Sequence, residues 1–323
     1  MLRVVVIGAG KIVDAHLQAI AQISRLQAVA VADVQQDRAR DVADRYGLKA
    51  YTDYRTMLER EKADVAIVAL PHFLHKQAAL DCAEAGCHML MEKPMALTVA
   101  ECDEMIAAAA KQGVQLMVGL TQHYFAENRL AKQILHRGDL GRLVMINDVR
   151  HQHYFVDSRP DWFLSKAKAG GGIITNLGAH SVDKIQWLLD SRIRTVRAQL
   201  THYADRGDVE GSGSIYATTD AGIPATIVQS GYKGVPVNET HLIFTQGMLK
   251  LLTGKGLWIS DNGSYREVPL PQTADPYVLQ LADLVDAIDG VKPLECSGAY
   301  ARTINEVLEG IYTSQESGKE QTV

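Results

Sequence analysis

The chain has 323 residues, 47% hydrophobic and 22% charged, with a formal net charge of −5. That length allows about two domains, and the composition excludes bulk disorder, collagen and coiled coil. The acidic balance, with no polybasic cluster, argues against nucleic acid and anionic membrane as partners. The first apolar run meets Lys11 and Asp14 too soon to be a signal-peptide core or a membrane span, so a cytoplasmic protein is expected. Cys82, Cys87, Cys102 and Cys296 form no CxxC pair and no zinc spacing, which points to reduced thiols.

In chain order, apolar runs at residues 4–7, 28–32, 65–69, 88–91 and 115–118 alternate with helical patterns. Continuous β-branched runs of this kind mark parallel strands buried on both faces. The spacing predicts helices over 18–26, 36–46 and 76–85, and Thr98 with Glu101 makes a capping box for a helix running to about 112. After Gly119 the texture changes. A helix over 127–137, a long strand over 143–154 and a helix over 179–189 precede a mostly strand-like stretch from 195 to 268. Asp220-Ala221-Gly222 and Asp261-Asn262-Gly263 punctuate it as hairpin turns. Helices over 277–288 and 299–314 close the chain. The fold class expected is a parallel α/β domain followed by an α+β domain with a large, open, mainly antiparallel sheet. Pairing the open sheet face with a second copy would bury it, so a homodimer or homotetramer is expected.

Gly8-Ala9-Gly10 follows the first strand and precedes a helical pattern. In that context the glycines allow a tight turn and let a pyrophosphate approach a helix N-terminus, with Lys11 and Ile12 completing the turn. Val13 stands where a third glycine is usual. Asp33, about twenty residues past Gly10, ends the second strand, where a carboxylate accepts hydrogen bonds from an adenosine ribose and repels a 2′-phosphate. Val34, Gln35 and Gln36 supply no arginine there, although Arg38 follows one turn into the helix. NAD is therefore expected in preference to NADP, and residues 1–121 read as a Rossmann domain.

Two further motifs, Leu70-Pro71-His72-Phe73-Leu74-His75 and Gly86-Cys87-His88-Met89-Leu90-Met91-Glu92-Lys93-Pro94, follow the third run and carry the fourth. Together with Gly170-Gly171-Gly172 and Asn176-Leu177-Gly178-Ala179-His180-Ser181-Val182-Asp183, they resemble the glucose-fructose oxidoreductase, inositol dehydrogenase and rhizopine-catabolism (Gfo/Idh/MocA) family. The resemblance implies a second, substrate-binding and oligomerisation domain over 122–296, and a final helix, about 297–318, that returns to pack on the first domain. It implies hydride transfer between NAD(P) and a secondary alcohol of a sugar, inositol or related polyol. Lys93 and His180 would be the catalytic pair, with Asn176 standing where relatives carry Asp and supplying no charge to the histidine. Gln122, Trp162 and Asp183 would bind substrate. Leu70, Pro71, His72, His75, Glu92 and Lys93 would join Gly8, Gly10, Lys11, Ile12 and Asp33 in holding the cofactor.

Elementary chemistry agrees: oxidising an alcohol needs a base, which His180 can be, and a stabiliser of charge on oxygen, which Lys93 can be. His151 and His153 share a strand face but have no apparent third ligand, and this chemistry needs no metal, so none is expected. An NAD-retaining glycosidase and a non-catalytic dinucleotide- or sugar-sensing regulator are the alternative readings; the presence of both Lys93 and His180 argues against the regulator.

Overall fold

The computed structural model describes residues 1–323. Runs of Val, Ile and Met with no exposed face form the middle of the first sheet. Its strands are β1 (Leu2–Ile7), β2 (Leu26–Ala32), β3 (Lys49–Tyr51), β4 (Val65–Val68), β5 (His88–Met91) and β6 (Leu116–Val118), parallel throughout and ordered β3-β2-β1-β4-β5-β6. Helices α1 (Val13–Ile20), α2 (Gln36–Tyr46), α3 (Tyr54–Glu61), α4 (His75–Glu84) and α5 (Val99–Gln112) make the crossovers. Strand order reverses between β1 and β4, the switch point at which sheets of this kind bind ligands beyond their carboxyl ends. At α5 the Thr98 hydroxyl accepts from the Glu101 N–H at 3.2 Å and the Glu101 carboxylate accepts from the Leu97 N–H at 3.0 Å, so the expected capping signal operates.

Three local differences from the sequence reading have physical causes. The first helix begins at Val13 rather than 18, because Val13, Leu17 and Ile20 form its buried stripe, and Leu26 already belongs to β2. The β3 strand and α3 were not anticipated: β3 is three residues long and half exposed, and α3 buries only Met57, Leu58 and Glu61. What starts α3 is Asp53, whose carboxylate accepts from the Arg55 and Thr56 N–H groups.

The second unit carries α6 (Ala126–Arg137), β7 (Leu143–His151), α7 (Lys166–Ala169), α8 (Ala179–Leu189), β8 (Ile193–Thr201), β9 (Ser212–Thr219), β10 (Pro224–Ser230), β11 (Val237–Phe244), β12 (Gly247–Leu252), β13 (Gly256–Asp261) and β14 (Ser264–Val268). The chain continues through α9 (Pro276–Ile288) and α10 (Gly298–Ser317) to β15 (Gln321–Thr322). The nine strands run β14-β13-β12-β11-β7-β10-β9-β8-β15 and are antiparallel except for the β7–β10 pair. Asn262 and Gly263 both take positive φ, 48° and 82°, which suits the tight hairpin between β13 and β14. The long strand expected to reach 154 leaves the regular ladder after His151, although Gln152 and Tyr154 still donate to the Ser230 and Gly231 carbonyls.

By contact the chain divides into Met1–Thr121 with Ala274–Arg302, and Gln122–Thr273 with Thr303–Val323. The final helix therefore differs from expectation. It is α9 that groups with the first unit, where Tyr277 meets His16 edge-on, and only the first turn of α10 accompanies it. The rest of α10 serves the second unit: Gln186 donates to the Thr303 hydroxyl, and the Ala198 and Leu200 N–H groups donate to Ser314 and Gln315.

Helix α8 is fixed to its sheet by charge. Lys184, 1% exposed, reaches the Asp148 carboxylate at 3.1 Å and the Thr240 hydroxyl at 2.9 Å, while Ser181 and Thr240 donate to the same carboxylate. Burial alone would raise the Asp148 pKa, but the Lys184 charge and these hydroxyls hold it below the usual carboxylate range. Removing one member of such a pair strands the other charge, which typically costs about 3–5 kcal/mol, whereas replacing both is far milder. Lys184→Met should therefore lower Tm sharply and Asp148→Leu/Lys184→Met should recover most of the loss. Because the folded-state pKa lies below the unfolded one, the pair's contribution is complete above about pH 4 and is lost as acid brings the pH down through the lowered value. Thermal melts of the three proteins between neutral and acid pH measure both effects.

Candidate functional site

In the first unit the cofactor candidates gather at the carboxyl ends of β1, β2, β4 and β5. Gly8 has φ +99°, and a Cβ there would lie 2.4 Å from the Ala69 carbonyl oxygen, so no other residue fits. Gly10 is different: a Cβ there would meet no protein atom within 4 Å. The protein's own packing does not demand that glycine, whereas close approach of a dinucleotide to the turn does. Asp33 accepts from the Ala9 N–H at 2.9 Å and the Gln35 N–H at 2.8 Å, which ties the glycine turn to the end of β2. Each carboxylate oxygen keeps a second acceptor direction for a ribose hydroxyl. Lys11 is exposed, Ile12 is half-buried, and Val13, in the place of the third glycine, is fully buried under the turn. These residues fit a dinucleotide.

Around β5 the structure adds detail that the motif alone did not carry. Glu92 and Lys93 are half-buried, and Leu70, Pro71 and the buried His72 lie on the segment just beyond β4. The Glu92 carboxylate accepts from His16 Nε2 at 2.9 Å, and its oxygens come within 3.5 Å of where a Gly119 Cβ would stand. Burial pushes the Glu92 pKa up, but the His16 hydrogen bond and the charges of His16 and Lys93 bring it below its ordinary value. His16 was missed from sequence because the first helix was expected to begin after it. His75 is fully buried, with Nδ1 3.0 Å from the Pro94 carbonyl and 3.3 Å from that of Met95, and Nε2 2.8 Å from the Leu70 carbonyl. Both ring nitrogens face protein carbonyls, of which a neutral ring can donate to one side only, and the fully buried imidazole is enclosed by protein where a cofactor contact was expected. Burial lowers the His75 pKa, and the three carbonyls oppose that only in part.

In the second unit the candidates sit on and around the segment entering α8. Gly172 is imposed, since a Cβ there would lie 2.1 Å from the Glu210 carbonyl oxygen, and one at Gly171 would run into the Tyr312 hydroxyl. The Glu210 carboxylate accepts from the Gly172 and Ile174 N–H groups at 2.8 Å and from Tyr312 at 2.9 Å. Burial raises its pKa against those donors. Residues Ile174–Gly178 then make one π-helical turn, a form frequent at functional sites. Asn176 hydrogen-bonds the Tyr154 hydroxyl, which burial pushes up to about 12. From Gly171 to Leu188 every residue is buried except His180, which is half-buried in the first turn of α8.

Asp183 is fully buried and bound to His123 Nε2 at 2.7 Å, and His123 stacks on Trp187 at 4.7 Å. Its first role is therefore to fix His123, which the sequence reading passed over. Gln122 is buried, its backbone carbonyl accepts from the Asn128 amide, and its side-chain oxygen has no protein partner. Trp162 is half-exposed and stacks on Phe163 at 3.6 Å. All four cysteines are buried and form no disulfide, and no helix is long and apolar enough to cross a membrane.

Comparison with known proteins agrees with this arrangement. Residues 2–120 match the model of the oxidoreductase family with an NAD-binding Rossmann fold, and residues 128–250 match the GFO/IDH/MocA C-terminal domain. The 1-carboxy-3-chloro-3,4-dihydroxycyclohexa-1,5-diene dehydrogenase of Comamonas testosteroni is 28% identical over 72% of this chain and 58% of its own length. An inositol 2-dehydrogenase of Salmonella paratyphi B is 28% identical over 61% of this chain and 57% of its own length. The chain thus matches under three-fifths of the length of either relative. The crystal structure of GenD2 from gentamicin A biosynthesis in complex with NAD superposes with a TM-score of 0.89 at 26% identity, covering 100% of this chain and 96% of that one. The glycine turn closed by Asp33, the Glu92-Lys93 strand end, the half-buried His180 and matches over both domains place the chain in the Gfo/Idh/MocA family of NAD-binding oxidoreductases.

Proposed function

We propose that the protein is an NAD-dependent dehydrogenase acting on a secondary alcohol of a sugar, an inositol or a related cyclic polyol. The observation that carries this reading is Lys93, held at the carboxyl end of β5 beside the Glu92 carboxylate in a sheet whose first turn is built for a dinucleotide. The names of the two relatives, one a dehydrogenase of a dihydroxycyclohexadiene and one of inositol, support a ring bearing neighbouring hydroxyls. Bound NAD supplies the hydride acceptor. Lys93 steadies the alcohol oxygen as its charge develops, and His180 takes the hydroxyl proton. Gln122, with an uncommitted buried amide oxygen, accepts from a substrate hydroxyl, and Trp162 offers a ring face to the sugar. Asn176, bonded to Tyr154, contributes position and no charge.

A panel of myo-inositol, hexoses, amino sugars and nucleotide sugars, followed by NADH absorbance, tests the reaction; steady NADH formation from one of them is expected. Hydrolysis of an aryl glycoside without net NADH would replace this reading with an NAD-retaining glycosidase. With the active polyol, Lys93→Ala should lower kcat by on the order of 10²–10³, as removal of an oxyanion donor does, while the NADH Kd from fluorescence titration stays near wild type. Turnover near the wild-type rate would remove Lys93 from the mechanism.

The two glycines separate folding from binding. Gly8→Ala should lower Tm, since the added carbon meets a backbone oxygen, whereas Gly10→Ala should melt like wild type and lose NADH affinity. Asp33→Ser with Val34→Arg should turn an NADH preference into an NADPH preference in the same titration, because Asp33 faces the extra phosphate. Tighter NADPH binding by the unaltered protein would defeat that assignment.

A further inference from the structure

We propose that His75 is the positioning residue of Lys93, acting through the backbone carbonyls of Pro94 and Met95 and not through the cofactor. This rests on the reading of Lys93 given above and adds the means by which its place is set. The imidazole is fully buried, and the only groups placed at its two nitrogens are carbonyls: Pro94 and Met95 on the Nδ1 side, and Leu70 on the Nε2 side. A neutral imidazole carries one N–H, and with that proton on Nδ1 it donates towards Pro94 and Met95 and ties the segment just after Lys93 to α4. The residue before Lys93 is fixed separately, by His16 on the Glu92 carboxylate, and that carboxylate also accepts from the Lys93 backbone N–H. With its N-terminal neighbour held on α1 and its C-terminal neighbours held on α4, the Lys93 main chain has little freedom, and its ammonium is aimed by the remaining side-chain torsions. A misplacement of about 1 Å in such a group is enough to cost on the order of 10² in rate.

The ring's two edges can be tested apart. An asparagine amide at position 75 stands where Nδ1 stands and keeps a donor for Pro94. A glutamine amide reaches where Nε2 stands and keeps only the link to Leu70. His75→Asn should therefore preserve the position of Lys93, and His75→Gln should release it. The first readout needs no substrate: the rate at which Lys93 is acylated by an N-hydroxysuccinimide acetate, followed by peptide mass spectrometry with the exposed Lys111 as internal reference.

Relative to Lys111, the Lys93 rate should rise at least fivefold in His75→Gln and stay within twofold in His75→Asn, with NADH Kd within threefold of wild type in both. Turnover of the polyol found active should follow the same order, falling in kcat more than in KM. Equal Lys93 rates in all three proteins, equal changes in the Asn and Gln variants, or loss of folding in both would overturn the proposal. Its failure is distinguishable from failure of the catalytic reading, because Lys93→Ala turnover judges that reading while acylation of Lys93 judges this one.

Discussion

The approach of the Ala69 carbonyl to Gly8 governs the geometry of the whole first unit's ligand edge. With φ at +99° and no room for a Cβ, the chain leaves β1 pressed against the end of β4, and the two strands stay in register to the last residue: the Ala69 N–H donates to the Ile7 carbonyl at 2.8 Å. That closeness brings the Ala9 N–H within reach of Asp33, so the turn is anchored by a carboxylate from the neighbouring strand. It also sets the path of Leu70, whose carbonyl lies 2.8 Å from Nε2 of His75. One glycine thus bears on the glycine turn, on Asp33 and on the packing of His75 together. A larger residue there disturbs three things at once, which is a stronger constraint than the permissive turn glycines elsewhere in the chain meet.

The two units hold Lys93 and His180 by different physics. Around Lys93 the holding groups are an imidazole on carbonyls and an imidazole on a carboxylate, at bond lengths of 2.8–3.3 Å. Around His180 they are a buried ion pair beneath α8 and a buried carboxylate, Glu210, that gathers the N–H groups of the glycine-rich approach. Desolvating charge is costly, and the interaction repays it only when the remaining lone pairs are filled. Here Ser181 and Thr240 fill those of Asp148, while Gly172, Ile174 and Tyr312 fill those of Glu210. Such networks favour a single register of helix on sheet, and that register decides where His180, half-buried in an otherwise buried stretch, stands.

Much of this was legible in the sequence where one physical requirement dominates one residue type. Strands buried on both faces read directly as β-branched runs, the Thr98/Glu101 box named its helix, and the Asn262-Gly263 turn named its hairpin. Illegible elements were those whose cause is a partner distant in sequence. The start of α1 depends on a stripe from Val13 that a search for the third glycine obscures, and β3 with α3 carries too few buried residues to give a periodic signal. Pro-Xaa-Xaa-Xaa-His, as in Pro71 to His75, signals a turn into a helix, but nothing in it says that the ring will face Pro94 instead of solvent. His123 was hidden in the same way, since its partner Asp183 was expected to bind substrate.

A carbonyl is the same group at every residue, and that makes backbone recognition tolerant of sequence. Because His75 reads the carbonyls of Leu70, Pro94 and Met95, the side chains at 70 and 95 can change without loosening Lys93, provided the main chain keeps its path. Recognition in the second unit runs between side chains: Asp183 meets an imidazole at position 123, Asn176 meets a phenol at 154, and the Gln122 amide oxygen meets no protein atom. Each of those contacts changes its donors or acceptors when one residue changes. Main-chain geometry thus sets the candidate site in the first unit and a few side chains set it in the second, so the second is where a single substitution most readily changes the donors and acceptors on offer.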